Sequence, residues 1–335
     1  MKENQARKNN SFAGLTPELI LASVEKALGR YVSNLCRPMN SYINRVYELA
    51  DEDGEGLIAK LYRPTRWSRA AILEEHDFLT ELAAAEIPVI APLELADGTT
   101  LSEVEGIPLA LFPKRGGRLV DEYSDDQWLE LGRLLGRVHA VGAVRPARHR
   151  LIMAPDCSTA RQVEFLLAHG RIPPELQGRF QELTTAMIRL AEPLFAKAES
   201  IRLHGDCHSA NLIHRPGESF FIIDFDDMCM GPPIQDIWML LPDAPENCLV
   251  ELDLFLEGYE SFKNFSRSSL HLIEPLRAMR FIHYMAWCAH QFKEDGHSVI
   301  MPDFGSRSYW QRELNDLEDQ LERIGKAPRS FMPGC

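Results

Sequence analysis

The sequence is short of basic residues. Its 36 Lys and Arg face 49 Asp and Glu, for a net charge of −13. Sequence-independent binding to nucleic acid or to an anionic membrane needs a basic surface, so neither partner is expected. Paired cysteines are lacking as well. The seven cysteines, at positions 36, 157, 207, 229, 248, 288 and 335, are scattered, odd in number and never spaced C-x-x-C. That usage fits reduced thiols in a cytoplasmic protein, not a disulfide framework. No apolar run approaches the ~20 residues that span a bilayer. The first ten residues are polar and hold no apolar signal core. There is no internal repeat and no low-complexity tract. What is plentiful is core material: 45% of the 335 residues are hydrophobic, enough for one large domain or two lobes.

The chemistry gathers in one stretch. Leu203-His204-Gly205-Asp206-Cys207-His208-Ser209-Ala210-Asn211 reads H-x-D-x-x-x-x-N. Kinases use that spacing to hold a catalytic Asp and a metal-binding Asn on one tight loop. A short link with Pro-Gly turn chemistry, His214 to Ser219, leads to an apolar strand, Phe220 to Ile223, that ends in Asp224. The stretch should fold back and bring Asp206, Asn211 and Asp224 together. Phosphoryl transfer needs such a set: one Asp to orient and deprotonate an acceptor hydroxyl, and two ligands for magnesium on the nucleotide phosphates. A rival reading is a zinc-dependent hydrolase. His204, Asp206 and His208 alternate, and Cys207 and His214 are close by. No further compact His or Cys pair follows to complete a tetrahedral site, and zinc leaves the strand ending in Asp224 unexplained. The acidic neighbours of Cys207 and Cys229 make those thiols packing residues and not redox switches.

The first third of the chain is strand-rich. Residues 1–12 are expected to be disordered. Thr16 caps a helix that starts at Pro17. Residues 38–63 form a β-hairpin around the turn 51–56, with Leu57 to Tyr62 as its second strand. Lys60 on that strand has apolar flanks and the setting of a strand lysine that contacts α/β-phosphates; a plain solvated lysine is the bland alternative. The segment Asn40 to Arg45 stands where a kinase has its Gly-rich loop, yet it contains no glycine. Ser41 and Asn44 are the candidate phosphate donors there. Residues 68–86 form an amphipathic helix capped by Ser68. It offers Glu75, with Glu74 beside it, as the ion-pair partner of Lys60. Ile87-Pro88-Val89 and Ala91-Pro92 start short strands. Leu109 to Phe112 is another strand, broken by Pro113-Lys114-Arg115-Gly116-Gly117, a hinge whose backbone from Phe112 to Lys114 can read an adenine edge.

The remainder is nearly all helical. Helices are expected at 128–138, within 158–199, from Ile234, and at 248–263, 270–294 and 307–324. Asp236 is either a helix-dipole aspartate or a tie for the catalytic loop.

The order of lysine strand, glutamate helix, hinge, H-G-D-x-H-x-x-N loop and I-I-D-F-D-D strand resembles the aminoglycoside phosphotransferase and choline kinase superfamily. Four segments resemble a bacterial serine/threonine protein kinase branch that acts in stress survival. They are Asn40-Ser41-Tyr42-x-Asn44-Arg45-Val46-Tyr47, Lys60-x-Tyr62-Arg63-Pro64, Leu203 to His208, and Ile273-Glu274-Pro275-Leu276-Arg277-Ala278-Met279-Arg280. The resemblance runs from about residue 14 to 325. It implies an α+β, two-lobed protein-kinase-like fold: a strand-rich ATP-binding lobe at 13–113 and a helical catalytic lobe at 114–335. It further implies a catalytic pair, Asp206 as proton acceptor and Asp224, with Asn211 and Asp224 on Mg2+ and Ser41 at the ATP site. The cofactors would be ATP and Mg2+, and the acceptor a Ser/Thr hydroxyl of a protein substrate. A monomer is expected. Against a protein acceptor, only six residues separate Asp224 from Gly231. Protein kinases place a longer activation segment there, so a small-molecule alcohol is the alternative acceptor. A pseudokinase is disfavoured because Lys60, Asp206, Asn211 and Asp224 are all present.

Overall fold

The structure, a computed structural model, describes residues 12–215, 217–296 and 300–326. Apart from Phe12, the stretch expected to be disordered lies outside the described residues, as does Pro216 of the link before the strand that leads to Asp224. The chain divides into two compact units. One comprises residues up to Arg150 with Asp206–Met228 and Leu249–Lys263; the other comprises Leu151–Gly205, Cys229–Cys248 and the chain from Asn264.

The first unit opens with helix α1, Pro17–Leu28. Thr16 accepts the Leu19 N–H, and Gly29 ends the helix at a φ of 68°. A five-stranded antiparallel sheet follows: β1 Arg37–Met39, β2 Arg45–Ala50, β3 Gly56–Leu61, β4 Ser102–Val104 and β5 Ile107–Pro113, in the order β1-β2-β3-β5-β4. The expected hairpin is β2–β3, with Lys60 between Val46 and Ala110. Strand period decides what β3 does. Leu57, Ala59 and Leu61 join Ile20, Val24, Leu49, Leu109 and Leu111 in one core. Ile58, Lys60 and Tyr62 alternate with them and face the other way. On that other face lies helix α2, Arg69–Ala84, capped by Ser68, which buries Glu75, His76, Phe78 and Leu79.

The strands expected at 87–89 and 91–92 do not form. Pro88 and Pro92 lack the N–H a ladder needs. Val89 makes one isolated bridge to Ile222. The missing ladder partner of β5 is β4, reached through a two-residue turn in which Glu105 and Gly106 both have positive φ.

The first unit is completed by α3, Asp125–Gly142, the hairpin of β7, Leu212–His214, with β8, Phe220–Ile222, and α7, Leu249–Glu260. The second unit holds α4 Ala160–His169, α5 Pro174–Phe195, α8 Ile273–Asp295 and α9 Arg307–Lys326 around one core that includes Phe180, Met285, Tyr309 and Trp310. It also contains the short ladder of β6, Ile201–Leu203, with β9, Cys229–Gly231, and the five-residue helix α6, Ile234–Trp238. Among the described residues no helix is long and apolar enough to cross a membrane.

Candidate active site

The loop and hairpin fold back as their turn chemistry implies. Asn211 precedes β7, and its carbonyl accepts the Ile223 N–H at 3.0 Å, next to Asp224. Its side-chain nitrogen donates to the Asp206 carbonyl at 3.0 Å. These two bonds hold Asp206, Asn211 and Asp224 in one small region. With Nδ2 committed, Asn211 presents Oδ1 as an acceptor. Asp224 has the most exposed carboxylate of its neighbourhood, 57%, and a left-handed backbone at φ 62°. One amide oxygen and one carboxylate are hard oxygen donors, the kind magnesium takes when substrate phosphates complete its shell. The residues therefore fit that ion. They do not fit structural zinc: among the described residues no three His, Cys, Asp or Glu side chains are grouped so as to hold a metal ion by themselves, and His204 is fully buried. His208 instead places Nε2 3.4 Å from Asp206 Oδ2.

Lys60 enters this region from β3. Its ammonium lies 3.2 Å from Asp226, 3.4 Å from Asp224 and 3.6 Å from Glu75. Burial works against the charged amine, but Asp226 and Glu75 outweigh it and hold its pKa well above the ordinary value. Glu75 is the helix partner; Glu74 faces elsewhere and accepts the N–H groups of Arg148 and His149. Burial raises the Glu75 pKa, opposed by Lys60 and Arg150. Asp226 is buried too, yet Lys60, Arg66 and Arg150 keep it well below the carboxylate range. Arg66 reaches both Asp226, at 3.1 Å, and Asp227, at 2.6 Å. Three cations thus meet four carboxylates, and the exposed member, Asp224, is the one open to a further cation. Removing a buried member of the set, such as Arg150 or Asp226, strands its partners, at a cost of about 3–5 kcal/mol. Phe225, between the two aspartates, packs edge-on against Phe78 of α2 at 5.9 Å.

The remaining candidates are placed less suggestively. Ser41 is half-buried in the turn between β1 and β2. Asn44 is buried, and its Oδ1 accepts the Arg63 N–H at 3.0 Å, which ties the hairpin together. The Phe112 ring is buried against His76. The Lys114 N–H donates to the Gly56 carbonyl, and its ammonium lies 2.6 Å from Glu48. The Lys114 N–H is therefore a ladder donor, engaged with β3. In the second unit, Asp236 is fully buried and accepts the N–H groups of His204 and Gly205, both at 2.8 Å. It acts as a tie, holding the two residues before Asp206. Gly205 itself has a φ of 87°, which glycine alone takes without strain.

The profile of the phosphotransferase enzyme family matches residues 36–272. The chain belongs to that family. Stress response kinase A from Salmonella choleraesuis strain SC-B67 is 36% identical over 328 residues, covering 96% of this chain and 98% of the relative. The serine/threonine protein kinase RdoA of Salmonella typhimurium matches equally, with the same identity and coverage. Among solved structures, amicoumacin kinase hAmiN, in complex with AMP-PNP, Ca2+ and Ami, superposes with a TM-score of 0.72 at 21% identity, covering 100% of this chain and 98% of that one. The fold is thus the aminoglycoside phosphotransferase-like α+β fold expected from the sequence, and the phosphotransferase is a kinase-like enzyme. Arg66, Arg150, Asp226 and Asp227 are the members of its charged cluster that sequence reasoning missed; the paired aspartates after Phe225 were the one available hint.

Proposed function

We propose that this phosphotransferase moves the γ-phosphate of ATP, as the magnesium complex, to Ser/Thr hydroxyls of protein substrates in a cytoplasmic stress response. The observation that carries the phosphoryl-transfer part is the joining of Asp206, Asn211 and Asp224 through the Asn211 bonds, with Lys60 at 3.4 Å from Asp224. Asp206 would orient the acceptor hydroxyl and take its proton. Lys60 would hold the nucleotide phosphates, aimed by Glu75. Asn211 Oδ1 and the Asp224 carboxylate would hold magnesium, which when bound supplies positive charge at the transferring group. The protein acceptor is supported by the names of relatives that match nearly end to end. A small-molecule alcohol is the second reading, favoured by the six-residue interval between Asp224 and Gly231 and by the likeness to amicoumacin kinase.

Labelled ATP and magnesium, offered with generic proteins and a panel of small alcohols, separate the two acceptors. Asp206→Asn should lose transfer by about 10²–10⁴-fold, the range of a positioned general base, in kcat. It should still bind ATP·Mg in calorimetry. Asp224→Ala should instead damage the magnesium requirement. The reverse pattern would exchange the roles of the two aspartates.

A further inference from the structure

The helix glutamate of the site has two cationic partners, and Lys60 is the more distant. Arg150 Nη2 donates to Glu75 Oε2 at 2.7 Å. Lys60 lies 3.6 Å from the other oxygen, Oε1, which also accepts from the Tyr62 hydroxyl at 3.2 Å. Arg150 is also the deeper cation: its side chain is 0% exposed, against 10% for Lys60. Its second terminal nitrogen, Nη1, donates to the Asp226 carbonyl at 3.0 Å. The Trp67 ring lies 4.4 Å from the guanidinium carbon and covers one of its faces. One planar, permanently charged group therefore joins α2 to the turn that follows Asp224.

Both ends of this link matter to the chemistry. Arg150, by holding Oε2, helps fix the rotamer in which Glu75 presents Oε1 to Lys60, beside the Tyr62 hydroxyl that donates to the same Oε1. Asp224 sits at φ 62° and ψ 65°, a conformation a non-glycine residue keeps only when its surroundings over-determine it. Those surroundings are Phe225 on Phe78, the Asp226 carboxylate on Lys60 and Arg66, and the Asp226 carbonyl on Arg150. In protein kinases the Lys–Glu pair and the metal aspartate are brought into place together by the activation segment. Here a buried arginine joins the same two parts.

We propose that Arg150 is a positioning residue of the phosphotransfer site, coupling the phosphate-holding Lys60 to the metal-holding Asp224. The inference rests on the phosphotransfer reading and deepens it. A merely structural arginine would lower the melting temperature and leave the magnesium dependence of nucleotide binding alone.

The test uses the full chain as wild type, Arg150→Lys, Arg150→Ala and Glu75→Gln. Binding of AMP-PNP is followed by calorimetry across magnesium concentrations, beside kcat, KM and the melting temperature of the ligand-free protein. In Arg150→Lys the magnesium needed for half-maximal AMP-PNP binding should rise about 10–100-fold, as when a group that orients a metal ligand is lost. KM for ATP should rise more than kcat falls. Millimolar guanidinium chloride, but not sodium chloride, should restore part of the binding in Arg150→Ala. Should the Arg150 variants fail to fold, Glu75→Gln carries the test: it cuts the same link and must shift the magnesium dependence in the same direction. An unshifted magnesium dependence in the folded variants, with only lower melting temperatures, would overturn the inference and leave phosphotransfer standing. A wild type that binds no AMP-PNP at any magnesium concentration would overturn the phosphotransfer reading and this inference with it.

Discussion

His76 follows Glu75 on α2 and carries the electrostatics of the site into the core of the first unit. Its ring is buried, with Nε2 3.0 Å from the Tyr62 hydroxyl and Nδ1 2.8 Å from Thr100 Oγ1. Burial, then the positive charges of Lys60, Arg150 and Arg69, push its pKa down to about 3. An unfolded histidine titrates near 6.5. Between those values the unfolded chain takes a proton that the folded chain refuses. Stability is therefore unaffected above about pH 6.5 and falls as the pH drops toward 3, by up to about 1.4 kcal/mol per pH unit from this group. Melting temperatures measured from pH 7 to 4.5 should decline in the wild type and decline less in His76→Gln. Equal slopes would show that the imidazole is protonated in the fold. Lys60 and Glu75 were legible in the sequence because each belongs to a local pattern, a strand with apolar flanks and a helix edge. Arg66 and Arg150 were not, since the carboxylates they bind lie 75 to 161 residues away and no local period marks them.

At the scale of elements, periodicity and capping located α1, α2, β3 and the long helices. It failed where a segment is held by something other than its own pattern. Residues 87–92 look strand-like in composition but contain two prolines, and β4 is a three-residue strand behind a turn begun by Glu105. A subtler miss is the packing of α3 on α7. Gly132 and Gly136 lie four apart on one face of α3, as small-x-x-x-small positions do. A Cβ on Gly132 would come within 2.0 Å of the Phe255 carbonyl oxygen, and one on Gly258 within 2.1 Å of the Leu129 carbonyl oxygen. The backbones touch, so the contact has no side chain that can yield. Alanine ordinarily favours a helix over glycine by about 1 kcal/mol. Gly258→Ala should reverse that sign and destabilise by about 1–3 kcal/mol, the range of overpacked sites. Gly178→Ala on α5, where nothing lies within 4 Å, is the control and should be neutral or stabilising. Chemical denaturation of both variants measures the difference; equal effects would mean that the helix contact can relax.

For the whole molecule, the order of elements made the fold class legible, while the acceptor was not, because no short motif encodes it. The same order bears on regulation. After Asp224 the chain makes one turn at Phe225–Asp227 and enters β9. Pro232 and Pro233 lead into α6, where Asp236 accepts the His204 and Gly205 amides and Gln235 Nε2 donates to the Gly205 carbonyl at 3.1 Å. From Cys229 to Ile237 every residue is buried. From Phe225 to Trp238 there is also not one Ser, Thr or Tyr. A switch of the protein-kinase kind needs an exposed segment after the metal aspartate and a hydroxyl on it to phosphorylate. This chain has neither in that interval, and Arg150 joins Glu75 to the Asp226 carbonyl through hydrogen bonds of its own side chain. The enzyme should therefore be active as synthesised. Protein treated with a broad phosphatase, and protein made in cells without added kinase, should show the same kcat/KM and the same magnesium dependence as untreated protein. Mass spectrometry of the intact chain before and after treatment establishes whether any phosphate was present to remove. A fall in kcat/KM that accompanies loss of phosphate would mean that the site is completed by a modification elsewhere in the chain, and that the arrangement around Glu75 is not sufficient by itself.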